Sequence, residues 1–266
     1  MGDSRKHYII TSIILFFLSI PVIGTILYSL SSSWGATILP DGFTFKWFVA
    51  LFSDSRFLAS LERSFAIGVL SLLVSMFVII PSIVISAYYF PKVLKGIEFI
   101  SLLPFMVPAV VLAVGLLNVY SGVNVRVFGV PLIIIGAYFS VAFPFIYRGI
   151  KNSLDALHLK SLVETVNILG GTNFEAFRYV ILPNLKKGIM SSGILSFAIL
   201  LGEFMYANLL IGGSFETLQV YLYNMKGKSG HFTSAMVTLF FLFIFAVTFI
   251  AVNIEKISKS KIKRKD

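Results

Sequence analysis

Six long apolar segments dominate the pattern of hydrophobic and polar positions along the chain. Each is close to the roughly 20 residues that an α-helix needs to cross the hydrocarbon core of a bilayer. Apolar side chains occupy nearly every side of these helices, so no helix keeps a polar face for water. The pattern predicts transmembrane helices at Tyr8–Leu30, Ser64–Phe90, Ile97–Ser121, Val130–Gly149, Gly188–Gly212 and Phe232–Ile254.

The composition favours a bilayer over water as the solvent of this fold. Of the 266 residues, 57% are hydrophobic and only 13% are charged, whereas soluble domains carry about 25% charged residues. We expect an all-α integral membrane protein, a single domain over residues 1–266 with its core at about 60–255. The first apolar stretch is longer than the apolar core of a typical signal peptide and no clear cleavage site follows it, so it is expected to remain as a helix.

Residues that build disulfides or metal sites are scarce. Cysteine is absent, and the three histidines, His7, His158 and His231, are far apart and have no ligand spacing. We therefore expect no metal site and no catalytic residues. An intramembrane enzyme would need a catalytic set inside the helices, and none of the three histidines lies deep in a predicted span.

Positive charges divide unevenly between the two sides of the predicted helices. With the N-terminus in the cytoplasm, 16 of the 22 Lys and Arg residues fall on the cytoplasmic side and 6 on the other. Cytoplasmic loops of membrane proteins carry this excess of positive charge, so both termini are predicted to be cytoplasmic. The basic tail, residues 255–266, then serves as a topology and lipid-headgroup signal rather than a nucleic-acid site.

Two loops are long enough to have structure of their own. The external loop, residues 31–63, contains turn formers and aromatic residues, and we expect a short interfacial helix near Phe45–Phe52. The cytoplasmic loop, about residues 150–187, is too long for a simple connection and too apolar to be disordered.

Within the cytoplasmic loop the sequence predicts two short helices joined by a glycine turn. Ser161 with Glu164, and Thr172 with Glu175, have the spacing of capping boxes that start helices. Gly170 stands where a helix ends in the left-handed conformation. Pro183 is expected to end the second helix, because proline cannot continue the helical hydrogen bonds. An interfacial helix pair that only stabilises the bundle would have the same pattern.

This segment resembles the EAA loop of the membrane subunits of binding-protein-dependent ABC importers. That pattern is E-A-A, three residues, G, and a downstream I/V-x-L-P. Glu164, Gly170 and Leu182-Pro183 match it, whereas Thr165 and Val166 replace the two alanines and Gly171 replaces the usual small residue after the glycine. Two other stretches are similar to the same family: LLPFMVPAVVLAVGLL to its proline-rich third span, and LSFAILLGEFMYANLLIGG to its fifth.

The resemblance implies an importer permease that consumes no ATP itself. Its two short helices would dock into a cleft on an ATP-binding subunit through the coupling-loop residues Ser161, Glu164, Leu169, Gly170, Gly171, Phe174, Phe177, Leu182 and Pro183. The chain has no phosphate-binding loop, because Leu222 replaces the first glycine that the motif would need before Gly227-Lys228-Ser229. No cofactor is therefore expected in this chain, and ATP and Mg²⁺ would bind the partner ATPase.

Further partners and a location follow from the same resemblance. Two ATP-binding subunits, a second permease that is homologous or identical, and an extracytoplasmic solute-binding protein would complete the assembly. The permease would lie in the cytoplasmic membrane of a bacterium or archaeon, as a multi-pass protein.

Glu203 is a carboxylate inside the fifth predicted span, where an uncompensated charge costs about 2.5–3.5 kcal/mol on insertion scales. Such residues usually face a cavity or a partner, so Glu203 is a candidate for the translocation pathway. The alternative is a hydrogen bond between helices or subunits. Gly202, Asn208 and Asn118 are weaker candidates for the pathway. Helix packing explains Gly202 equally well, and the two asparagines are of a type that more often forms a hydrogen bond within the bundle than binds a ligand.

The solute is the least determined feature. The stretch SLSSSWGATILPDGFTFKWFVALF resembles permeases for 2-aminoethylphosphonate and for spermidine/putrescine, whose amines would suit a buried carboxylate. Permeases for ferric iron, thiamine or sulfate remain alternatives within the same family. An ATP-independent secondary transporter or channel subunit is the alternative from another class, but it predicts more ionisable residues within the spans.

Overall fold

The chain is almost entirely helical in the computed structural model. This confirms the all-α fold. The structure describes the backbone of residues 2–120, 122, 125–227 and 229–262, and the side chains of those that lie between residues 6 and 249. The helices in chain order are α1 (Gly2–Leu30), α2 (Lys46–Ser53), α3 (Ser55–Tyr89), α4 (Pro91–Met106), α5 (Ala109–Tyr120), α6 (Leu132–Asp155), α7 (Leu159–Ile168), α8 (Asn173–Glu175), α9 (Leu182–Leu201), α10 (Leu218–Met225) and α11 (Gly230–Ile262). Two π-helical segments, π1 (Ala176–Ile181) and π2 (Ala207–Ile211), follow α8 and α9.

Four helices of the described chain are long and apolar enough to cross a membrane. They are Lys6–Leu30 of α1, α3, α6 and Gly230–Phe249 of α11. A fifth crossing is present if the bent pair α4 and α5 forms one span. The count of six spans stays a prediction, as does the position of both termini.

The prediction of one continuous third helix over Ile97–Ser121 is wrong, because the chain there forms two helices, α4 and α5, with a sharp bend between them. The axes of α4 and α5 differ by 102°, with the break at residues 107–108. Val107 has extended backbone angles (φ −111°, ψ 129°). A residue that precedes proline is pushed out of the helical region by the proline ring, so Pro108 accounts for the break.

The fifth predicted helix, Gly188–Gly212, has other ends. Helix α9 begins six residues earlier, at Leu182, and stops at Leu201. Gly202 caps its C-terminus, and a new helical segment that includes π2 starts only after Phe204.

The chain divides into two compact units, of which residues 60–220 and 247–266 form the larger. Its hydrophobic core includes Ile67, Ile83, Ile134, Ile146 and Leu185, all of which are inaccessible to solvent. The domain boundary predictions stay predictions. Residues 263–266 of the basic tail, and the side chains before them from residue 250, lie outside the described part of the chain.

Helices α6 and α9 pack with their backbones unusually close. A Cβ placed on Gly188 would lie 2.1 Å from Ser153 Oγ and 2.7 Å from the carbonyl oxygen of Gly149, and a Cβ on Gly149 would lie 2.5 Å from Ser192 Cβ. Small residues four apart on both helices therefore form the contact, which is how helices associate in lipid.

A two-residue turn joins the strands β1 (Arg126–Val127) and β2 (Val130–Pro131) just before α6. Phe128 and Gly129 both have positive φ, at 48° and 80°. Turns of this kind match the twist of a hairpin. The apolar pattern predicted a helix from Val130, and helix α6 instead begins after Pro131.

The smaller unit comprises residues 1–59 and 221–246. Here Asp54 ends α2 and caps α3, since its Oδ1 accepts hydrogen bonds from the backbone N–H of Arg56 and Phe57 at 2.8 and 3.2 Å. The hydroxyl of Tyr221 donates to Asp54 Oδ2 at 2.7 Å. That hydrogen bond, followed by the two from the backbone, lowers the pKa of Asp54.

Candidate functional site

A glycine elbow joins α7 to α8 in the cytoplasmic loop. Gly170 has φ +83°, a conformation that residues with a Cβ rarely adopt. The N–H of Gly171 donates to the carbonyl of Val166 at 2.9 Å, and the N–H of Gly170 donates to that of Asn167 at 3.0 Å. The expected helix, glycine turn and second helix are therefore present, with the turn at the expected residue.

The predicted capping box at Ser161 and Glu164 is wrong. Helix α7 begins at Leu159, and its N-cap, His158, makes no side-chain capping bond. Ser161 instead lies within the first turns, where its carbonyl accepts a hydrogen bond from Thr165 Oγ1 at 2.7 Å. Leu159 packs against the hydrophobic core, and this tertiary contact outweighs the local capping signal.

The second capping box, at Thr172 and Glu175, is confirmed. Thr172 Oγ1 accepts from the N–H of Glu175 at 3.2 Å, and Glu175 Oε2 accepts from the N–H of Thr172 at 2.7 Å. The bond from the Thr172 backbone is the main reason that the pKa of Glu175 is lowered. The carboxylate therefore stays ionised and holds the elbow at neutral pH.

Pro183 does not end the second helix, which contradicts the expectation. The chain runs without interruption from α8 through π1 into α9. In π1 the hydrogen bonds span five residues, as in the bond from the N–H of Leu182 to the carbonyl of Phe177. Pro183 follows as the second residue of α9, at the point where the bonding changes from π to α, so its missing N–H falls at this change of register.

Large exposed side chains lie at the elbow and in the helical segment that follows it. We call Ile168, Leu169, Phe174 and Tyr179 the elbow surface. Ile168 and Leu169 are 85% and 81% exposed, and Phe174 and Tyr179 are both 66% exposed. The sequence singled out Leu169 and Phe174 but missed Ile168 and Tyr179, although apolar residues beside a glycine turn could have indicated Ile168.

The other predicted coupling residues lie elsewhere in the loop. Ser161, Glu164 and Pro183 are exposed, Gly171 is half-buried against Val166, and Phe177 and Leu182 pack inwards against the hydrophobic core. The inward residues fix the loop to the bundle, whereas the elbow surface projects from it.

Polar contacts add to the stiffness of the elbow. The amide of Asn167 donates to Asn173 Oδ1 at 3.0 Å, across the turn. The amide of Asn173 in turn donates to the hydroxyl of Tyr89, the last residue of α3. The elbow is thereby tied to the end of a long apolar helix.

Glu203 lies in the interruption between α9 and π2. Its Oε1 accepts from the N–H of Tyr206 at 3.0 Å, and its Oε2 accepts from the N–H of Ala207 at 3.2 Å. The half-buried carboxylate thus satisfies backbone groups at the start of the next helical segment. Tyr138 of α6 donates to the backbone carbonyl of Glu203 at 3.5 Å.

The remaining pathway candidates lie near this interruption. Gly202 is exposed and Asn208, in π2, is half-buried. Helix α5, which carries the exposed Asn118, packs against π2. The second half of the bent pair α4 and α5 therefore packs against the segment that follows the interruption at Glu203. Among the described residues no group of three His, Asp or Glu side chains could hold a metal ion.

Residues 55–259 match the family described as the binding-protein-dependent transport system inner membrane component. The chain belongs to this family. The match includes the elbow and Glu203, and it makes the protein an ABC importer permease subunit, a multi-pass protein of the inner membrane.

Curated relatives of the permease are similar over most of its length. The putative 2-aminoethylphosphonate transport system permease protein PhnV of Salmonella typhimurium is 26% identical over 251 residues, which covers 93% of this chain and 91% of the relative. The spermidine/putrescine transport system permease protein PotC of Escherichia coli is 26% identical over 212 residues, or 79% and 78% of the two chains.

Two solved structures share the fold of the permease. A bacterial ABC transporter involved in the import of the acidic polysaccharide alginate superposes with a TM-score of 0.73 at 16% identity, covering 95% of this chain and 98% of the other. A bacterial alginate ABC transporter in complex with a pentasaccharide-bound periplasmic protein gives 0.68 at 20% identity, covering 94% and 93%.

Proposed function

We propose that the permease forms half of the channel of an ATP-driven importer and that the elbow surface is its contact with a separate ATPase subunit. The observation that carries this proposal is the exposed elbow surface on a stiff glycine turn, within the part of the chain that matches the family. Closure of the ATPase would move the elbow, and the interrupted helices beside Glu203 would rearrange to alternate access.

The physical basis is the cost of leaving apolar area in water. Burying a large apolar side chain contributes about 1.5–3 kcal/mol, so an ATPase cleft that covers the elbow surface gains affinity from it. The inward-packed Phe177 and Leu182 keep the loop fixed to the bundle while this surface is pulled. ATP and Mg²⁺ would act entirely in the partner.

The assembly would contain two ATP-binding subunits, a second permease and a solute-binding protein. Membership of a binding-protein-dependent family supports the last of these partners. The solute-binding protein would deliver the solute at the external face, and the two permeases would enclose the pathway between them.

The solute class we favour is a small polar amine, either a polyamine or 2-aminoethylphosphonate. Support comes from the names of the two relatives, each 26% identical to this chain. Ferric iron, thiamine or a sulfate-type anion remain the alternatives within the family. Ligand titration of the cognate binding protein with putrescine, spermidine and 2-aminoethylphosphonate separates these solutes.

Glu203 would act in transport by holding the interruption of its helix in shape. Both carboxylate oxygens already accept backbone hydrogen bonds, so the side chain is not a free ligand. We place it beside the pathway, where it fixes the backbone that Gly202 and Asn208 present to the solute.

The decisive experiment changes the elbow and leaves the rest of the permease intact. Gly170→Val places a β-branched residue at φ +83°, where a Cβ costs about 1–3 kcal/mol, whereas Gly170→Asn places a residue that tolerates this conformation. No atom lies within 4 Å of a Cβ at this position, so neither variant clashes.

Both variants are reconstituted in proteoliposomes with the ATPase and the binding protein, and ATP hydrolysis and solute uptake are measured together. We expect Gly170→Val to insert normally but to lose uptake and binding-protein stimulation of the ATPase, while Gly170→Asn keeps both. Full uptake by Gly170→Val, or failure of any ATPase subunit to bind the elbow, would overturn the proposal.

A further inference from the structure

The loop between α1 and α3 carries an apolar surface that the transport mechanism does not use. We call its large exposed side chains the outer patch: Ile38, Leu39, Phe43, Phe45, Val49 and Phe52. Ile38 is 93% exposed and the other five are all more than half exposed. An exposed apolar surface of this size marks a contact with another apolar phase or molecule.

Helix α2 is apolar on two opposite sides. Trp47 and Leu51, four residues apart, point into the smaller unit, to which α2 belongs. Leu51 is completely buried there, and Trp47 stacks on His231 at a ring separation of 5.3 Å. Phe45, Val49 and Phe52 follow the spacing i, i+4, i+7 and line the other side. A helix lying on a protein surface in water needs only the first of these sides to be apolar.

Hydrogen bonds fix the loop at the level where α1 ends. The N–H of Thr44 donates to the carbonyl of Leu30, the last residue of α1, at 2.7 Å, and Trp47 Nε1 donates to the carbonyl of Ser31 at 2.9 Å. The N–H of Ser32 donates to the carbonyl of Gly42 at 2.8 Å. The loop therefore folds back onto the end of the helix and does not extend away from it.

The length of α1 sets that level relative to the bilayer. Its apolar part, Lys6–Leu30, has 25 residues, and at 1.5 Å per residue it extends for about 37 Å. The hydrocarbon core is about 30 Å thick, so Leu30 lies within several ångströms of its edge. Trp47 and Lys46, whose ammonium sits 4.4 Å from the centre of the Trp47 ring, are side chains typical of this boundary.

We propose that the outer patch is embedded in the lipid leaflet at the C-terminal end of α1, with α2 lying in the interface between headgroups and acyl chains. Lipid is the occupant that these observations favour, because the patch continues directly from a membrane-crossing helix and is tied to its end. The side of α2 that carries Trp47 and Leu51 would pack against the rest of the smaller unit, while Phe45, Val49 and Phe52 enter the acyl region.

The absence of cysteine from the sequence allows clean single-site labelling. Nitroxide labels are attached to Val49→Cys and Phe52→Cys in the full-length permease in lipid nanodiscs. Collision rates with oxygen, which partitions into lipid, and with a water-soluble nickel chelate are measured by electron paramagnetic resonance. Phe16→Cys, on the exposed side of α1, is the lipid control, and Gly227→Cys, where a Cβ has no neighbour within 4 Å, is the aqueous control.

We expect the labels at positions 49 and 52 to collide with oxygen in preference to the chelate, as the label at position 16 does. Chelate collisions as frequent as those at position 227 would show a surface in water and overturn the proposal. Labels protected from both reagents would show a protein occupant instead. That occupant would be the binding protein if the protection appears only when the binding protein is added, and otherwise a second permease. Two positions are used so that one misfolded variant does not decide the outcome.

Discussion

Gly188→Ala tests the close backbone contact between α9 and α6. The new Cβ would lie 2.7 Å from the carbonyl oxygen of Gly149, where ordinary contact begins at 3.4 Å. The two backbones must therefore separate by about 0.7 Å, or the added methyl group stays compressed. The Oγ of Ser153 can rotate away only by giving up its hydrogen bond to the Gly149 carbonyl, and that carbonyl, which is part of a helix, cannot rotate.

Overpacking of this kind costs about 1–3 kcal/mol. Alanine also favours a helix over glycine by about 1 kcal/mol, which would hide part of the effect. Gly136→Ala in α6 is the matched control, because it gains the same propensity and a Cβ there has no neighbour within 4 Å. The two variants should therefore differ in unfolding free energy by the strain alone.

The assay is unfolding by sodium dodecyl sulfate in mixed micelles, followed by circular dichroism. We expect the unfolding free energy of Gly136→Ala to equal or exceed that of the wild type, and the unfolding free energy of Gly188→Ala to be about 1–3 kcal/mol lower than that of Gly136→Ala. Adding Ser153→Ala to Gly188→Ala should recover part of the loss in a double-mutant cycle, since it removes the 2.1 Å contact. Equal stability of the two glycine variants would refute close backbone packing of α6 on α9.

Three further predictions address other parts of the chain. Leu169→Asp should weaken ATPase binding about 10–100-fold in a pull-down titration, because it removes apolar area from the elbow surface, and it should not change the stability of the isolated permease. Lys160→Gln, at an exposed position of α7, changes the net charge by the same amount and is the control. Glu203→Gln should lower the unfolding free energy by about 0.6–2 kcal/mol, since one of the two backbone N–H groups loses its acceptor. It should leave the KM for the solute unchanged. A raised KM without a loss of stability would indicate that Glu203 binds the solute directly. Because the pKa of Asp54 is lowered, its capping of α3 stabilises the fold fully above the unfolded-state pKa of about 3.9, and this contribution is lost as pH falls through the lower folded-state pKa. The difference in unfolding free energy between the wild type and Asp54→Asn should therefore shrink as pH drops from about 5 to about 3. A difference that does not change with pH in that range would contradict this.

The fold class and the elbow could be predicted from the sequence because each depends on a local, physically strong signal. A run of about 20 apolar residues has few alternatives to a transmembrane helix, and a glycine between two amphipathic segments has a definite backbone role. Gly170 and the Thr172–Glu175 capping box were found in this way.

The sequence failed where tertiary contacts or hydrogen-bond register decided the outcome. Leu159 starts α7 before the capping signal at Ser161, because packing against the core stabilises the earlier turn. Pro183 is tolerated because π1 shifts the bonding pattern ahead of it, and no residue type announces that shift. The bonds of Glu203 to Tyr206 and Ala207 could not be predicted, because they depend on where the backbone of its helix stops.

The uninterrupted path from α8 through π1 into α9 has a mechanical consequence. Residues 173–201 form one continuous helical segment, with the elbow at one end and the interruption at Gly202 at the other. A displacement applied at the elbow would therefore reach the interruption at Gly202 without crossing a loop. Within this path π1 is the section whose hydrogen bonds depart from the α pattern, so we expect substitutions there to change how far such a displacement is transmitted.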